Sequence, residues 1–224
     1  MLVDCGLFQG LKDLRERNWQ PLPIRASDID TVVLTHAHLD HSGYLPRLVG
    51  QGFRGRIFCT PATADLARIV LADAAHIQEE DAERANRKGY TRHRPAQPLF
   101  TAEDADRAMA LLQPVGYERP MPVMAGVTAE FINAGHLLGS AYARVRVEQA
   151  GKTILFGGDL GRYSRPVLPD PSPVPEADVL LLESTYGDRT HDPDDQGAKL
   201  ARIINETAHR GGKVVIPAFA LGRV

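Results

Sequence analysis

The run Thr31-Val32-Val33-Leu34-Thr35-His36-Ala37-His38-Leu39-Asp40-His41 decides how this chain is read. Its first four residues have the β-branched and apolar pattern of a short buried strand. Its last six hold three imidazoles and a carboxylate, a density that would repel and desolvate if packed in a core and that a divalent cation makes favourable. His36 and His38 are two apart, so they point the same way where a strand runs out into a loop. Asp40 and His41 follow and can face a second ion, with a helix over 43–49 behind them.

Working outward, two further donors stand in the right kind of place. His136 lies in Asn133-Ala134-Gly135-His136-Leu137-Leu138-Gly139-Ser140, after a strand expected over 127–132, and Asp159 lies in Phe156-Gly157-Gly158-Asp159-Leu160-Gly161, after a strand expected over 153–156. Flanking glycines let the backbone approach a centre closely. A carboxylate has two oxygens and can bridge two ions, which makes Asp159 the natural bridge.

Composition bounds the rest. At 224 residues with 43% apolar and 24% charged residues, the chain is a folded globular protein and not a disordered, collagen-like or coiled-coil one. No apolar run reaches the roughly 18 to 20 residues that cross a bilayer, and Met1-Leu2-Val3-Asp4 lacks the features of a secretion signal, so the cytoplasm is the expected compartment. Cys5 and Cys59 are too few for a disulfide framework and are expected to be buried small hydrophobes. A net charge of −2 does not announce a nucleic-acid binder. Arg84, Arg87, Lys88, Arg92 and Arg94 form a local exception, read as a solvated helix end with a phosphate-contacting patch as the alternative.

Patterning places strands at 2–3, 31–34, 56–59, 127–132, 142–148, 153–156, 179–182 and 213–216, and helices at 43–49, 62–88, 102–112 and 197–210. Thr101 with Asp104 fits a capping box, and Gly211-Gly212 a helix stop. Ala150-Gly151 turns 142–156 into an antiparallel hairpin, which argues against a purely parallel sheet. The Ile69, Val70, Leu71, Ile77 pattern reads as core, and His76 and His93 are assigned no metal. Pro166, Pro169, Pro171, Pro173 and Pro175 mark an extended connection. Both chain ends read as cut, since a strand at 2–3 has nothing upstream to pair it and 218–224 begins a turn and helix that stops.

The series Asp4, His36-Ala37-His38-Leu39-Asp40-His41, His136, Asp159 resembles the ordered motif set of the metallo-beta-lactamase fold. Val3-Asp4-Cys5-Gly6-Leu7-Phe8-Gln9-Gly10, Phe156-Gly157-Gly158-Asp159 and Leu182-Glu183-Ser184-Thr185-Tyr186-Gly187 narrow the resemblance to the beta-CASP branch. That branch comprises RNA-processing nucleases related to the mRNA 3'-end cleavage factor and ribonucleases with endo- and 5'-exonuclease activity.

The resemblance implies an α/β fold, the metallo-beta-lactamase αββα sandwich truncated at both ends, with a metallo-beta-lactamase domain over 1–182 and the start of a beta-CASP domain over 183–224. It implies two Zn2+ ions, one held by His36, His38 and His136, the other by Asp40 and His41, with Asp159 bridging and Asp4 orienting the His-x-His loop from behind. Asp40, placed to orient the nucleophile, and Glu183, near the scissile phosphate, are the expected catalytic residues. The later motif histidines are missing, since His191 and His209 stand in other contexts, so the second zinc is expected to lack a ligand and this chain to be weakly active or inactive alone. The implied activity is zinc-dependent hydrolysis of RNA phosphodiesters by a hydroxide that two metals activate. The expected partner is single-stranded RNA, with no membrane, and the complete protein is expected to be a homo-oligomer. The alternatives are a hydrolase of a small ester or thioester on the same scaffold, and a non-catalytic scaffold in an RNA-processing complex.

Overall fold

The computed structural model describes residues 1–91, 93–174, 176–190, 197–218 and 221. Arg92 of the cationic run, Pro175, His191 and most of the expected turn at 218–224 lie outside the described residues. The chain divides into two compact units, Met1–Glu183 and Ser184–Val224.

In chain order the elements are β1 (Leu2–Val3), α1 (Lys12–Glu16), β2 (Thr31–Val33), α2 (Leu39–Ser42), α3 (Leu45–Gly50), β3 (Arg56–Cys59), α4 (Pro61–Lys88), α5 (Ala102–Ala110), β4 (Leu112–Pro114), β5 (Met121–Met124), β6 (Val127–Asn133), β7 (Ala141–Val147), β8 (Lys152–Phe156), β9 (Val179–Leu181) and α6 (Ala198–His209). Short 3-10 turns occupy Arg17–Trp19 and Ala26–Asp28. One sheet, β1-β2-β3-β4, is wholly parallel. The other, β5-β6-β7-β8-β9, is antiparallel until β9 joins β8 in parallel.

Strand alternation sorts the core. Val32, Leu34, Ile57 and Cys59 pack with Leu45, Leu48, Leu71 and Ala105 of the helices on one face of the first sheet. Their neighbours Val33 and Phe58 point the other way and share a cluster with Ala129, Phe131, Ala143 and Val145, so the two sheets lie face to face. Ile132, Tyr142 and Leu155 form a third cluster on the far face of the second sheet. Fully burying one such aliphatic or aromatic side chain contributes about 1.5–3 kcal/mol.

Several expectations are corrected. The helix expected at 43–49 is present as α3, and a separate short helix before it, α2, carries Asp40 and His41. The helix at 102–112 ends at Ala110, because Leu112 begins β4, which pairs with β3. The capping box is present, with Thr101 and Asp104 exchanging side-chain-to-backbone bonds. No strand forms at 213–216: Val214, Val215 and Ile216 have the propensity, but no strand occurs among the described residues of that unit to complete a ladder. Ile69 and Ile77 are not core. They are 66% and 50% exposed because α4 packs through Ala64, Ala67, Leu71 and Ala74, a stripe of mostly small residues on another face. Cys59 is buried, whereas Cys5 is only half-buried; burial holds both thiols up at about 12. Among the described residues, no helix is long and apolar enough to cross a membrane.

Candidate metal centre

Every residue expected to bind a metal or act in catalysis follows the C-terminal end of a strand. Asp4 follows β1, His36 to His41 follow β2, His136 follows β6, Asp159 follows β8 and Glu183 follows β9. β1 and β2 run parallel, as do β8 and β9, while β6 and β8 flank the antiparallel β7. Strand direction alone therefore brings these loops to one edge of each sheet.

There, four donor atoms converge. His36, His38, His136 and Asp159 each offer one atom, all within 4.8 Å of one another. His36 Nε2 is 3.0 Å and His136 Nε2 3.2 Å from His38 Nδ1. Asp159 Oδ2 is 3.6 Å from His36 Nε2 and 3.3 Å from His136 Nε2. Its other oxygen, Oδ1, is 3.2 Å from His41 Nε2, which is 3.7 Å from Asp40 Oδ2. The carboxylate thus turns one oxygen to the three-histidine cluster and one to the Asp40–His41 pair.

The second nitrogens of two rings show which ones carry protons. Thr35 has one hydroxyl proton and donates it to Asp4 Oδ2 at 2.9 Å, so at 3.1 Å from His36 Nδ1 the same oxygen accepts that ring's N–H. His41 Nδ1 donates to Asp4 Oδ2 at 2.7 Å. The His36 ring is left with its Nε2 lone pair facing the cluster, the arrangement a cation requires, while His41 turns its Nε2 to Asp159 Oδ1. Lone pairs aimed at one point repel unless a positive charge sits between them, so the donor set fits a divalent metal. Asp4 also accepts the Thr35 backbone N–H at 2.7 Å. Its φ of 59° is in the left-handed region, a strain of order 1 kcal/mol that three hydrogen bonds hold in place.

Charge follows the same geometry. Burial, with the positive charge of His41 adding to it, holds His36 well below the ordinary histidine range. Burial and His136 lower His38. Burial opposes a charge on His41, yet its bonds to Asp159 and Asp4 raise it to about 10. The hydrogen bond from His41, with that ring's charge, holds Asp159 below the usual carboxylate range against the pull of burial.

The structure places Asp4 beside Thr35 and His41, not beside His38. Glu183 accepts the backbone N–H of Leu160 at 3.1 Å and so braces the residue after Asp159. Gly158, at φ 53°, lies where a Cβ would come within 2.9 Å of Thr35 Oγ1, which ties the Asp159 loop to the His36 loop. His76 pairs with Glu80 on the surface of α4.

Sequence reasoning missed the hydroxyls that hold the His136 loop. Ser140, 1% exposed, accepts the backbone N–H groups of His136 and Leu137, both at 3.0 Å. Thr60 and Thr63, at the start of α4, donate to the Gly139 carbonyl at 2.6 and 2.9 Å. Tyr117 donates to the Ser140 carbonyl at 3.0 Å. The only signal for them was the serine closing the Gly135–Ser140 string; nothing local marks the threonines or the tyrosine.

Comparison with known proteins agrees with this geometry. The family model described as beta-lactamase superfamily domain matches residues 1–210. The whole chain is 40% identical to Ribonuclease TTHA0252 of Thermus thermophilus, covering 47% of it. It is 30% identical to Transcription termination factor FttA of Methanocaldococcus jannaschii, covering 34%, and 32% identical to Cleavage and polyadenylation specificity factor 73 of Drosophila melanogaster, covering 31%. The chain thus spans less than half the length of these relatives. It belongs to the beta-lactamase superfamily domain family, with the metallo-beta-lactamase fold, in that fold's beta-CASP branch.

Proposed function

We propose that the protein hydrolyses phosphodiester bonds of single-stranded RNA with two zinc ions. The observation that carries this reading is the pair of donor groups on either side of Asp159: three imidazoles on Oδ2, and Asp40 with His41 around Oδ1. Four of the six separations among these donors, 3.0 to 3.6 Å, scatter around the roughly 3.3 Å edge of a tetrahedron whose centre lies about 2.0 Å from each corner, the preference of zinc for nitrogen and oxygen, and all six are within 4.8 Å. RNA as the substrate rests on the relatives, which are named as a ribonuclease, a transcription termination factor and a cleavage and polyadenylation factor.

Zinc ions bound at the two positions would supply a hydroxide at neutral pH and neutralise the charge that builds on the phosphate. The protein's own share is orientation. His36, His38 and His136 with Asp159 would hold one ion, and Asp40 and His41 would hold the other. The exposed Asp40 carboxylate is free to turn towards a water and orient it for in-line attack. Asp4 locks the His41 ring and the Thr35 turn. Glu183 keeps the Asp159 loop from sliding along the sheet edge. We assign Met1–Glu183 as the metallo-beta-lactamase domain and Ser184–Val224 to the beta-CASP domain.

The test is cleavage of an end-labelled single-stranded RNA by the zinc-loaded full-length protein and by its Asp159→Ala variant, with zinc per chain counted by native mass spectrometry. Cleavage by the parent alone is expected. Equal cleavage by both would overturn the reading.

A further inference from the structure

The segment that follows Asp4 has a feature the hydrolytic site does not use. Cys5 donates its N–H to His41 O at 2.6 Å and Leu7 donates to Leu39 O at 2.9 Å, so residues 5–7 lie along the metal-binding turn. Gly6 makes the approach possible: a Cβ there would fall 1.6 Å from the Asp40 carbonyl oxygen, deep inside contact distance. Leu7 then packs against the core beneath the helices. Phe8, one chain step of about 3.8 Å further on, does the opposite and leaves its side chain 49% exposed.

An exposed phenylalanine in a loop is ordinarily free to move, but this one is pinned. Asn18, only 7% exposed, accepts the N–H of Phe8 at 2.9 Å and donates its own amide to the Phe8 carbonyl at 2.9 Å. The buried amide thus takes the place of a neighbouring strand and fixes the backbone of the one residue in the segment whose ring faces out. The adjoining Arg17 sets its guanidinium 5.6 Å from the ring centroid, within the range of a cation–π contact. An immobilised aromatic face with an arginine on it, beside a metal-binding turn, is the construction that stacks bases of single strands without reading their sequence.

We infer that Phe8, supported by Arg17 and clamped by Asn18, is a stacking platform for a nucleobase next to the scissile phosphate of RNA. The inference rests on the proposed hydrolysis of RNA and assigns it a substrate-positioning residue. Because the platform is fixed before binding, little ordering cost falls on the protein when the base arrives. The contact is made through the base's face, so it holds a strand in register while tolerating any base.

The test measures KM and kcat of the zinc-loaded full-length protein on a short single-stranded RNA for the parent, Phe8→Leu, Phe8→Trp and Arg17→Ala. Phe8→Leu keeps apolar bulk and loses the π face. It should raise KM about ten- to a hundred-fold with the loss falling on KM and not on kcat. Phe8→Trp should restore KM, and Arg17→Ala should raise it less than Phe8→Leu does. On strands made abasic at each nucleotide flanking the cut in turn, the gap between parent and Phe8→Leu should close at one position. An unchanged KM in Phe8→Leu, or a gap that persists on every abasic strand, overturns the platform and leaves RNA hydrolysis standing. If the zinc-loaded parent cleaves no RNA, the hydrolytic reading falls instead. The platform is then decided by fluorescence quenching of a 2-aminopurine strand, present in the parent and lost in Phe8→Leu if it exists, equal in both or absent in the parent if it does not.

Discussion

The two regions that supply the metal centre are built in opposite ways. The turn after β2 puts three imidazoles and a carboxylate into six residues, and two of its rings are set by Thr35 beside them and by Asp4 at the end of the neighbouring β1. The loops after β6 and β8 supply one donor each; His136 meets His38 across 98 residues of chain. They are braced by hydroxyls of Thr60, Thr63 and Ser140 and by the backbone contact of Glu183. The first region carries its donors in one local stretch with a single outside brace, Asp4; the second borrows its geometry from the packing of two sheets and a helix. Metal binding should therefore be broken from the first region by touching the donors or Asp4, and from the second by touching residues that bear no donor at all.

The largest effect tests whether both regions are needed. His38→Ala and His136→Ala should each lower zinc affinity more than about a hundred-fold, beyond what supporting residues cost, as read by competition with a fluorescent chelator. Full affinity in His136→Ala would dissolve the comparison, leaving the β2 turn as a site by itself. Next comes the contrast between supports. Asp4→Asn tolerates the same backbone conformation but removes the charge holding His41, and Ser140→Ala strips the partner from two backbone N–H groups. Each should weaken zinc binding about ten- to a hundred-fold. Ser140→Ala should also cost about 1–3 kcal/mol of stability in metal-free protein, measured by urea unfolding. A Ser140→Ala variant that binds zinc like the parent would show that the His136 loop needs no brace.

The smallest effect lies away from both regions. Asp104 closes the capping box of α5, and Asp104→Asn should cost about 1 kcal/mol at pH 7 with zinc affinity unchanged. Burial opposes its charge, but the Thr101 N–H and hydroxyl and Arg107 hold the folded carboxyl below its ordinary value. That stability is present above the unfolded pKa of about 4 and is lost as pH falls through the folded value. The difference between Asp104→Asn and the parent should accordingly shrink in acid, and a difference independent of pH would show that the carboxylate's charge is not what stabilises the cap.

The strands that patterning found and those it missed differ for a physical reason. Of those found, β2, β3, β6, β7 and β8 are dense in Val, Ile, Phe or Ala and lie inside their sheets, while β1 and β9 are edges that keep an unbroken apolar run free of proline. The missed strands, β4 and β5, contain Pro114 and Pro122, residues that remove a ladder donor and are tolerated because each strand forms the edge of its sheet. The reverse error occurred at 213–216, where high strand propensity meets no partner strand among the described residues of its unit. Ile69 and Ile77 failed likewise, since a helix buries the face its neighbours accept, and α4 is accepted through its alanines.

The chemistry and the residues that carry it were legible before any fold was known. Residue types cannot be altered by folding, and a crowd of imidazoles beside a carboxylate has few stable uses apart from a cation. The sequence also located the donors in order, because strand-then-glycine patterns mark where a chain leaves a sheet. Only the tertiary structure decided which oxygen of Asp159 faces which group, that Asp4 serves His41 and Thr35, and that Ser140, Thr60 and Thr63 hold the His136 loop. Apart from the Ser140 contact, which is local, those relations join segments tens of residues apart and are set by strand direction and by the face-to-face packing of two sheets, so no local pattern encodes them.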